Sequence, residues 1–119
     1  MSKPEDATVQ LYYGGWSAST GDPDWQFRPL LFGESFPPKL FNVAYYKNPE
    51  VDAAIKASIA TANPEKRAEA YAKAQSVTWN DAPWIYLGVE RLLAAKTKQL
   101  SGIYYLPDRG LLLEDAELQ

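Results

Sequence analysis

The sequence predicts a mixed α/β (α+β) fold, and three observations carry that prediction. An aromatic, β-branched run near the start closes on a glycine pair. Two Asn-Pro-Glu signals each open a run of apolar residues at helical spacing. Two apolar, aromatic-rich runs follow residue 83, with Gly and Pro as punctuation. Strand, helices, then strands is a pattern of mixed class.

Each element has a local reason. "TVQLYYGGW" reads as a strand because it is β-branched and aromatic and ends at Gly14-Gly15. A polar loop follows. Asp22-Pro23 then supplies an N-cap and a first-turn proline for a short helix through about Phe32. "GESFPPKLFNVAYY", with Gly33, Pro37 and Pro38, reads as an irregular crossing segment. Asn48-Pro49-Glu50 opens a helix with Val51, Ala54, Ile55, Ser58 and Ile59 on one face. Asn63-Pro64-Glu65 opens the longest helix, whose expected inner face is Ala68, Tyr71, Ala72, Gln75 and Trp79. Glu69 and Lys73 form a solvent-side i,i+4 pair there. Residues 49–82 thus read as a helical hairpin joined by "TANP". "APWIYLGVERLLAAKT" reads as an extended segment apolar enough to be covered on both faces. "SGIYYLPDRG" reads as a strand with a turn at Asp108-Arg109-Gly110, and "LLLEDAELQ" as a short tail.

Composition narrows the chemistry. The chain has 119 residues, 46% hydrophobic and 23% charged, as a globular protein would. Its net charge of −3 and the lack of a basic block argue against nucleic-acid binding. It contains neither cysteine nor histidine. The usual general base, thiol nucleophile, disulfide and zinc ligands are therefore excluded. "DPD" lacks the alternating ligands and downstream Glu of a calcium loop, so no metal or cofactor is expected. "MSKPEDATVQ" is polar and is not a signal peptide; an exported protein would start upstream of it. No stretch has the apolar length of a membrane span.

The loop "GGWSASTGDPDW", residues 14–25, concentrates the candidate site. Ser17, Ser19 and Thr20 offer hydroxyls, and the glycines leave backbone N–H groups approachable. An anion or peptide carboxylate could meet them beside a helix N-terminus. The plainer reading is that Asp22 caps the helix and the hydroxyls make local turn bonds. Neither a P-loop nor G-x-G-x-x-G is present. Serine catalysis lacks S-x-x-K and G-x-S-x-G, and without His it needs a base such as Lys39 or Lys73. Asp22 and Asp24 are too close in sequence to oppose each other as a glycosidase pair. Trp16, at a strand end beside the polar loop, can wall a pocket, whereas Trp79 reads as core. Arg28, Arg91 and Arg109 can pair with ligand carboxylates or with internal acids.

Four stretches together resemble one family. They are "YYGGWSASTGDPDW", "FNVAYYKNPEVDAAI", "NPEKRAEAYAKAQSVTWNDAPWIYL" and "LSGIYYLPDRGLLLEDAELQ". In this order they resemble the C-terminal part of family 5 extracellular solute-binding proteins, the peptide-binding subunits of ABC importers. "GWSASTG" and "EDAELQ" look like the glutathione-binding branch. Dipeptide-binding members carry an acid at the third position after the loop Trp, where it anchors the peptide amine. Ser19 stands there in this chain.

The resemblance implies a two-lobed α/β clamp that closes on ligand about a hinge. It places residues 1–83 in the C-terminal lobe, 84–91 as a hinge-crossing strand, and 92–119 returning toward the N-terminal lobe. It implies a non-catalytic, periplasmic role, with a short peptide as ligand and a membrane ABC permease as partner. Trp16, Ser17, Ala18, Ser19 and Thr20 would face the ligand. Asp22 and Asp24 would order the loop, with amine binding as a lesser role. A chain of this length would carry one wall of the cleft, with an exposed strand edge open to self-association. The competing readings are a hydrolase and a stand-alone partner-binding α/β domain with no small-molecule ligand.

Overall fold

In the computed structural model, residues 3–91, 93–106 and 109–119 are described. Met1, Ser2, Leu92, Pro107 and Asp108 lie outside them, and with Asp108 the first residue of the expected 108–110 turn. Among the described residues, a 3-10 turn at Pro4–Asp6 precedes three α-helices: α1 Asp24–Leu31, α2 Pro49–Ile59 and α3 Pro64–Asp81. Four two-residue strands follow: β1 Leu100–Ser101, β2 Tyr104–Tyr105, β3 Leu111–Leu112 and β4 Glu117–Leu118. The class is mixed, with helices and small antiparallel sheets.

The helix starts follow from capping chemistry. Asn48 accepts from the Glu50 N–H at 2.8 Å, and Asn63 accepts from the Lys66 N–H at 3.0 Å. Each Asn is followed by a proline that has no N–H to orphan. α3 stops where Ala82 turns left-handed at φ 46°.

α2 packs along α3, and α1 packs on α2. Leu30, Leu31, Val51, Ala54, Ile55 and Ala74 form the core. Val51 and Ile55 are at most 1% exposed, and burying each contributes about 1.5–3 kcal/mol. The α2 face is the expected one except for Ile59, which is exposed. The α3 face is shifted by one position, and of the expected residues only Tyr71 is buried. Tyr71, Ala74 and Thr78 point inward, while Ala68, Ala72, Gln75 and Trp79 are exposed. Apolar spacing favours the row ending in Trp79. Packing instead selects the neighbouring row, because small Ala74 lets α2 approach and Thr78 is tolerated in the interior. Trp79 is 64% exposed and stacks on Tyr86 with ring centroids 5.3 Å apart.

The crossing segment between α1 and α2 is held by one buried amide. Asn42 is completely buried. Its Nδ2 donates to the carbonyls of Phe32 (3.0 Å) and Tyr46 (2.7 Å), and its Oδ1 accepts from the Tyr46 N–H (3.1 Å). Gly33 donates its N–H to Asp52 on α2 at 2.8 Å. A Cβ there would stand 2.8 Å from both the Asp52 carboxylate and the Lys47 side chain, so a larger residue would push these side chains aside. At the far end, the Tyr46 hydroxyl and the Asn48 amide both donate to Asp81 Oδ2, at 2.6 and 2.7 Å. That cluster ties the C-terminus of α3 to the entry of α2.

The C-terminal part is one interrupted hairpin. β1 pairs with β4 through Leu100↔Leu118 and Ser101↔Glu117. β2 pairs with β3 through Tyr104↔Leu112 and Tyr105↔Leu111. Residues 113–116 on one side oppose only 102–103 on the other. The chain closes that mismatch at Gly102, where φ is +68° and an added Cβ would meet the Asp115 carbonyl oxygen at 1.7 Å. No side chain fits there.

Two strand expectations are not met. The segment 8–16 is irregular, and 85–90 has no strand pairing among the described residues. A strand exists only through its partners, and these runs find none among the described residues. Their apolar side chains stand in solvent, up to 98% exposed at Val89. The accessible surface is 9159 Å², against roughly 6500 Å² for a self-contained globule of this mass. The radius of gyration is 18.2 Å, against roughly 13.5 Å for a compact chain of this length.

These contacts can be tested by mutation and by pH. Asn42→Ala removes the donor to the Tyr46 carbonyl, the acceptor of the Tyr46 N–H and one of two donors to the Phe32 carbonyl, and lowers stability by about 1–3 kcal/mol, read from denaturant unfolding. The pH test concerns Tyr46. Burial, reinforced by the adjacent Asp81 carboxylate, pushes the Tyr46 hydroxyl up to about 12. Because its folded pKa lies above the unfolded value, its contribution is intact below pH 10 and is lost as pH rises toward 12. The hydrogen bonds from Tyr46 and Asn48 hold Asp81 below its ordinary value of 3.8. Its contribution is present above that value and fades at lower pH. Tyrosinate absorbance should show one of the eight tyrosines ionising last, and Tyr46→Phe should remove that step.

Candidate functional site

The loop 14–25 is fixed at its base and open at its apex. The base depends on a proline inside α1. Pro29 has no N–H to donate to the carbonyl four residues earlier, which belongs to Trp25. That carbonyl accepts instead from the indole Nε1–H of Trp16 at 2.9 Å. The Trp16 ring also leans on Phe41, with centroids 5.2 Å apart. Phe41 is held in turn by its N–H donating to the Pro29 carbonyl at 3.1 Å. Trp16 is thus seated on α1 and the crossing segment, with 37% of its surface still exposed.

Asp22 closes the other end of the loop. Its Oδ1 accepts from the Asp24 N–H at 2.9 Å, while the Arg67 guanidinium reaches both of its carboxylate oxygens at 2.7 Å. The Asp22 N–H donates to the Thr20 hydroxyl at 3.2 Å. Asp24 is paired with Arg28 one turn along α1. Both acids are therefore matched by arginines within the chain. This geometry supports their loop-ordering role and leaves neither carboxylate without a cation of its own. Arg28 is committed in the same way, while Arg109 lies 3.8 Å from Glu90.

The start of α1 offers no spare donor. The Trp25 N–H is used by the Asp22 carbonyl, and those of Gln26 and Phe27 by the Pro23 carbonyl. With Pro23 lacking an N–H and Asp24 capped, the first turn is satisfied. An anion at that terminus would have to displace bonds already made.

The apex is different. Ala18 to Gly21 form a tight turn closed by the Gly21 N–H donating to the Ala18 carbonyl at 2.9 Å, with φ of Gly21 at +70°. Ser17, Ser19 and Thr20 are exposed and Ala18 is half-buried. The backbone N–H groups of residues 17–20, and the Ser17 and Ser19 hydroxyls, have no partner among the described residues. The apex thus presents uncharged hydrogen-bonding groups to solvent, backbone donors and carbonyls together with hydroxyls that both donate and accept. Beside it runs an open groove between the loop and α3, lined by Thr20, Asp22, Pro23, Arg67 and Tyr71.

The residues singled out in the sequence therefore divide into two sets. Trp16, Asp22 and Asp24 brace the loop, while Ser17, Ala18, Ser19 and Thr20 form its face. Arg67, Phe41 and Pro29 were not among them. Pro29 carried a readable signal, since a proline in a helix announces a free carbonyl four residues back. Arg67 carried none, because its partner lies 45 residues away. Among the described residues no cluster of acidic side chains is placed to hold a metal ion. None of their helices is long and apolar enough to cross a membrane.

Comparison with known proteins follows the same line. No family profile matches the chain. It is 42% identical over 115 residues to the glutathione-binding protein GsiB of Escherichia coli K12, which is 97% of this chain. It is equally similar to GsiB of Shigella flexneri, and 40% identical to GsiB of Salmonella choleraesuis. The chain spans 22% of the length of these relatives.

The bracing makes a prediction. The Asp22–Arg67 pair is partly exposed, so the ion pair itself is worth at most about 1 kcal/mol. Asp22→Ala, which also removes the cap, should cost about 1–2 kcal/mol, whereas Asp22→Asn should cost less than half of that. Thermal unfolding of the two variants measures the difference; equal losses would contradict the capping role.

Proposed function

We propose that this chain is the glutathione- or related peptide-binding segment of an ABC-importer solute-binding protein. The observation that carries the proposal is the similarity to glutathione-binding proteins along nearly the whole chain. The loop agrees with it. Its apex offers uncharged donors and acceptors open to solvent, and glutathione carries two carboxylates and two peptide amides that can use them. Ser19, in place of an acid, fits a ligand whose free amine is not anchored at this position. No step of covalent chemistry is involved: the protein captures a peptide and hands it to a membrane permease.

In this reading the chain is the C-terminal part of a two-lobed periplasmic protein. Residues 1–83 contribute to one lobe, 84–91 cross the hinge, and 92–119 return toward the other lobe. The excess of exposed surface supports this division, because the runs 8–13 and 85–90 need covering. Where no second lobe covers them, edge pairing between copies is the expected remedy.

Binding follows from solvation. The charged groups of a peptide are costly to bury unless each is matched, and one wall of a cleft matches only some of them. The chain alone should bind glutathione no tighter than about millimolar, about −4 kcal/mol. A micromolar constant by calorimetry would overturn this. In a protein with both lobes, Ser19→Asp should weaken glutathione about tenfold and favour a peptide with a free α-amino group, since one charged contact is worth about that. Unchanged selectivity would remove Ser19 from the site.

A further inference from the structure

We propose that Pro29 is a positioning residue for the loop: by leaving the Trp25 carbonyl without a helical donor, it creates the seat for the Trp16 indole. In a regular helix the N–H of residue 29 would occupy the carbonyl of residue 25. Proline removes that donor, and its ring also excludes the carbonyl from the axial direction. The carbonyl is left without a helical donor and open to one from outside the helix. Trp16, nine residues earlier than Trp25, supplies the missing N–H at 2.9 Å.

The rest of the neighbourhood fixes the same arrangement. Pro29 is buried, so its place in α1 is set by the core. Its own carbonyl accepts the Phe41 N–H at 3.1 Å, and the Phe41 ring meets the Trp16 ring. Position 29 thus touches both surfaces on which the indole rests, through the missing N–H that is special to proline and through a carbonyl that the helix end leaves free. The loop between Trp16 and Trp25 becomes a closed excursion anchored at both ends, and its apex at Ser17–Thr20 is presented by that closure. Asp22 and Arg67 orient the returning limb; Pro29 determines where the limb starts. The consequence for ligand rests on the function proposed above, but the indole seat does not.

The test therefore reads the indole directly, without ligand. In ¹⁵N-labelled protein the Trp16 indole N–H resonance is identified by its loss in Trp16→Phe. In Pro29→Ala the backbone N–H regained at position 29 competes for the carbonyl. The Trp16 resonance should move toward that of a free indole and its solvent exchange should rise roughly tenfold, the worth of one hydrogen bond. The Trp79 indole should stay in place. A double-mutant cycle adds a second reading. Trp16→Phe should lower the unfolding midpoint when residue 29 is Pro and change it much less in the Pro29→Ala background. An unmoved Trp16 resonance, or equal losses in both backgrounds, overturns the proposal. Should Pro29→Ala fail to fold, the Trp25 carbonyl ¹³C shift is measured in Trp16→Phe with Pro29 intact. A shift is expected on loss of the indole donor, and an unmoved carbonyl overturns the proposal. Glutathione affinity of an otherwise unaltered two-lobed protein tests the functional reading separately.

Discussion

The loop depends on a hydrogen bond that a helix declines to make. Pro29 withholds an N–H from Trp25, and Trp16 makes up the loss from outside the helix. Everything displayed by residues 17–20 hangs from that junction. The bond is exposed, so it contributes as an ordinary hydrogen bond, about 0.5–1.5 kcal/mol, and it fixes where the loop begins. An exposed polar loop would ordinarily sample many conformations. Here its two limbs are tied to α1 and α3 by an indole, a capping carboxylate and an arginine pair, and only the apex stays unsatisfied.

The bracing contacts and the exposed apex use different residues of the same twelve-residue stretch. Asp22 caps and braces while Ser17 and Ser19 remain uncommitted. The two carboxylates, paired with Arg28 and Arg67, contribute little net charge at the apex. The apex is therefore nearly neutral, with its hydrogen-bonding groups open to solvent.

What could be read in advance was what short-range chemistry decides. Asn48-Pro49-Glu50 and Asn63-Pro64-Glu65 announced two helix starts, because cap, proline and first-turn acid act within four residues. The inner face of α3 was misread by one position. Apolar spacing favours Trp79, but the packing of α2 against Ala74 selects Tyr71 and Thr78, and a buried threonine leaves no periodic trace. The runs at 8–16 and 85–90 carry strand composition without strand structure, since a ladder needs a neighbour that these residues do not provide for one another. Asn42 and Arg67 were invisible for the same reason: each acts through partners that only the fold brings close.

If the loop is the ligand wall, its apex and the Trp16 indole beside it meet the peptide. Residue-resolved amide shifts during a glutathione titration well above millimolar concentration decide this. Progressive, weakly saturating shifts are expected at Ser17, Ala18, Ser19 and Thr20 and at the Trp16 indole, with α2 and the hairpin at 100–118 unmoved. Shifts centred on another surface, or a loop that stays unmoved while other residues respond, would refute it.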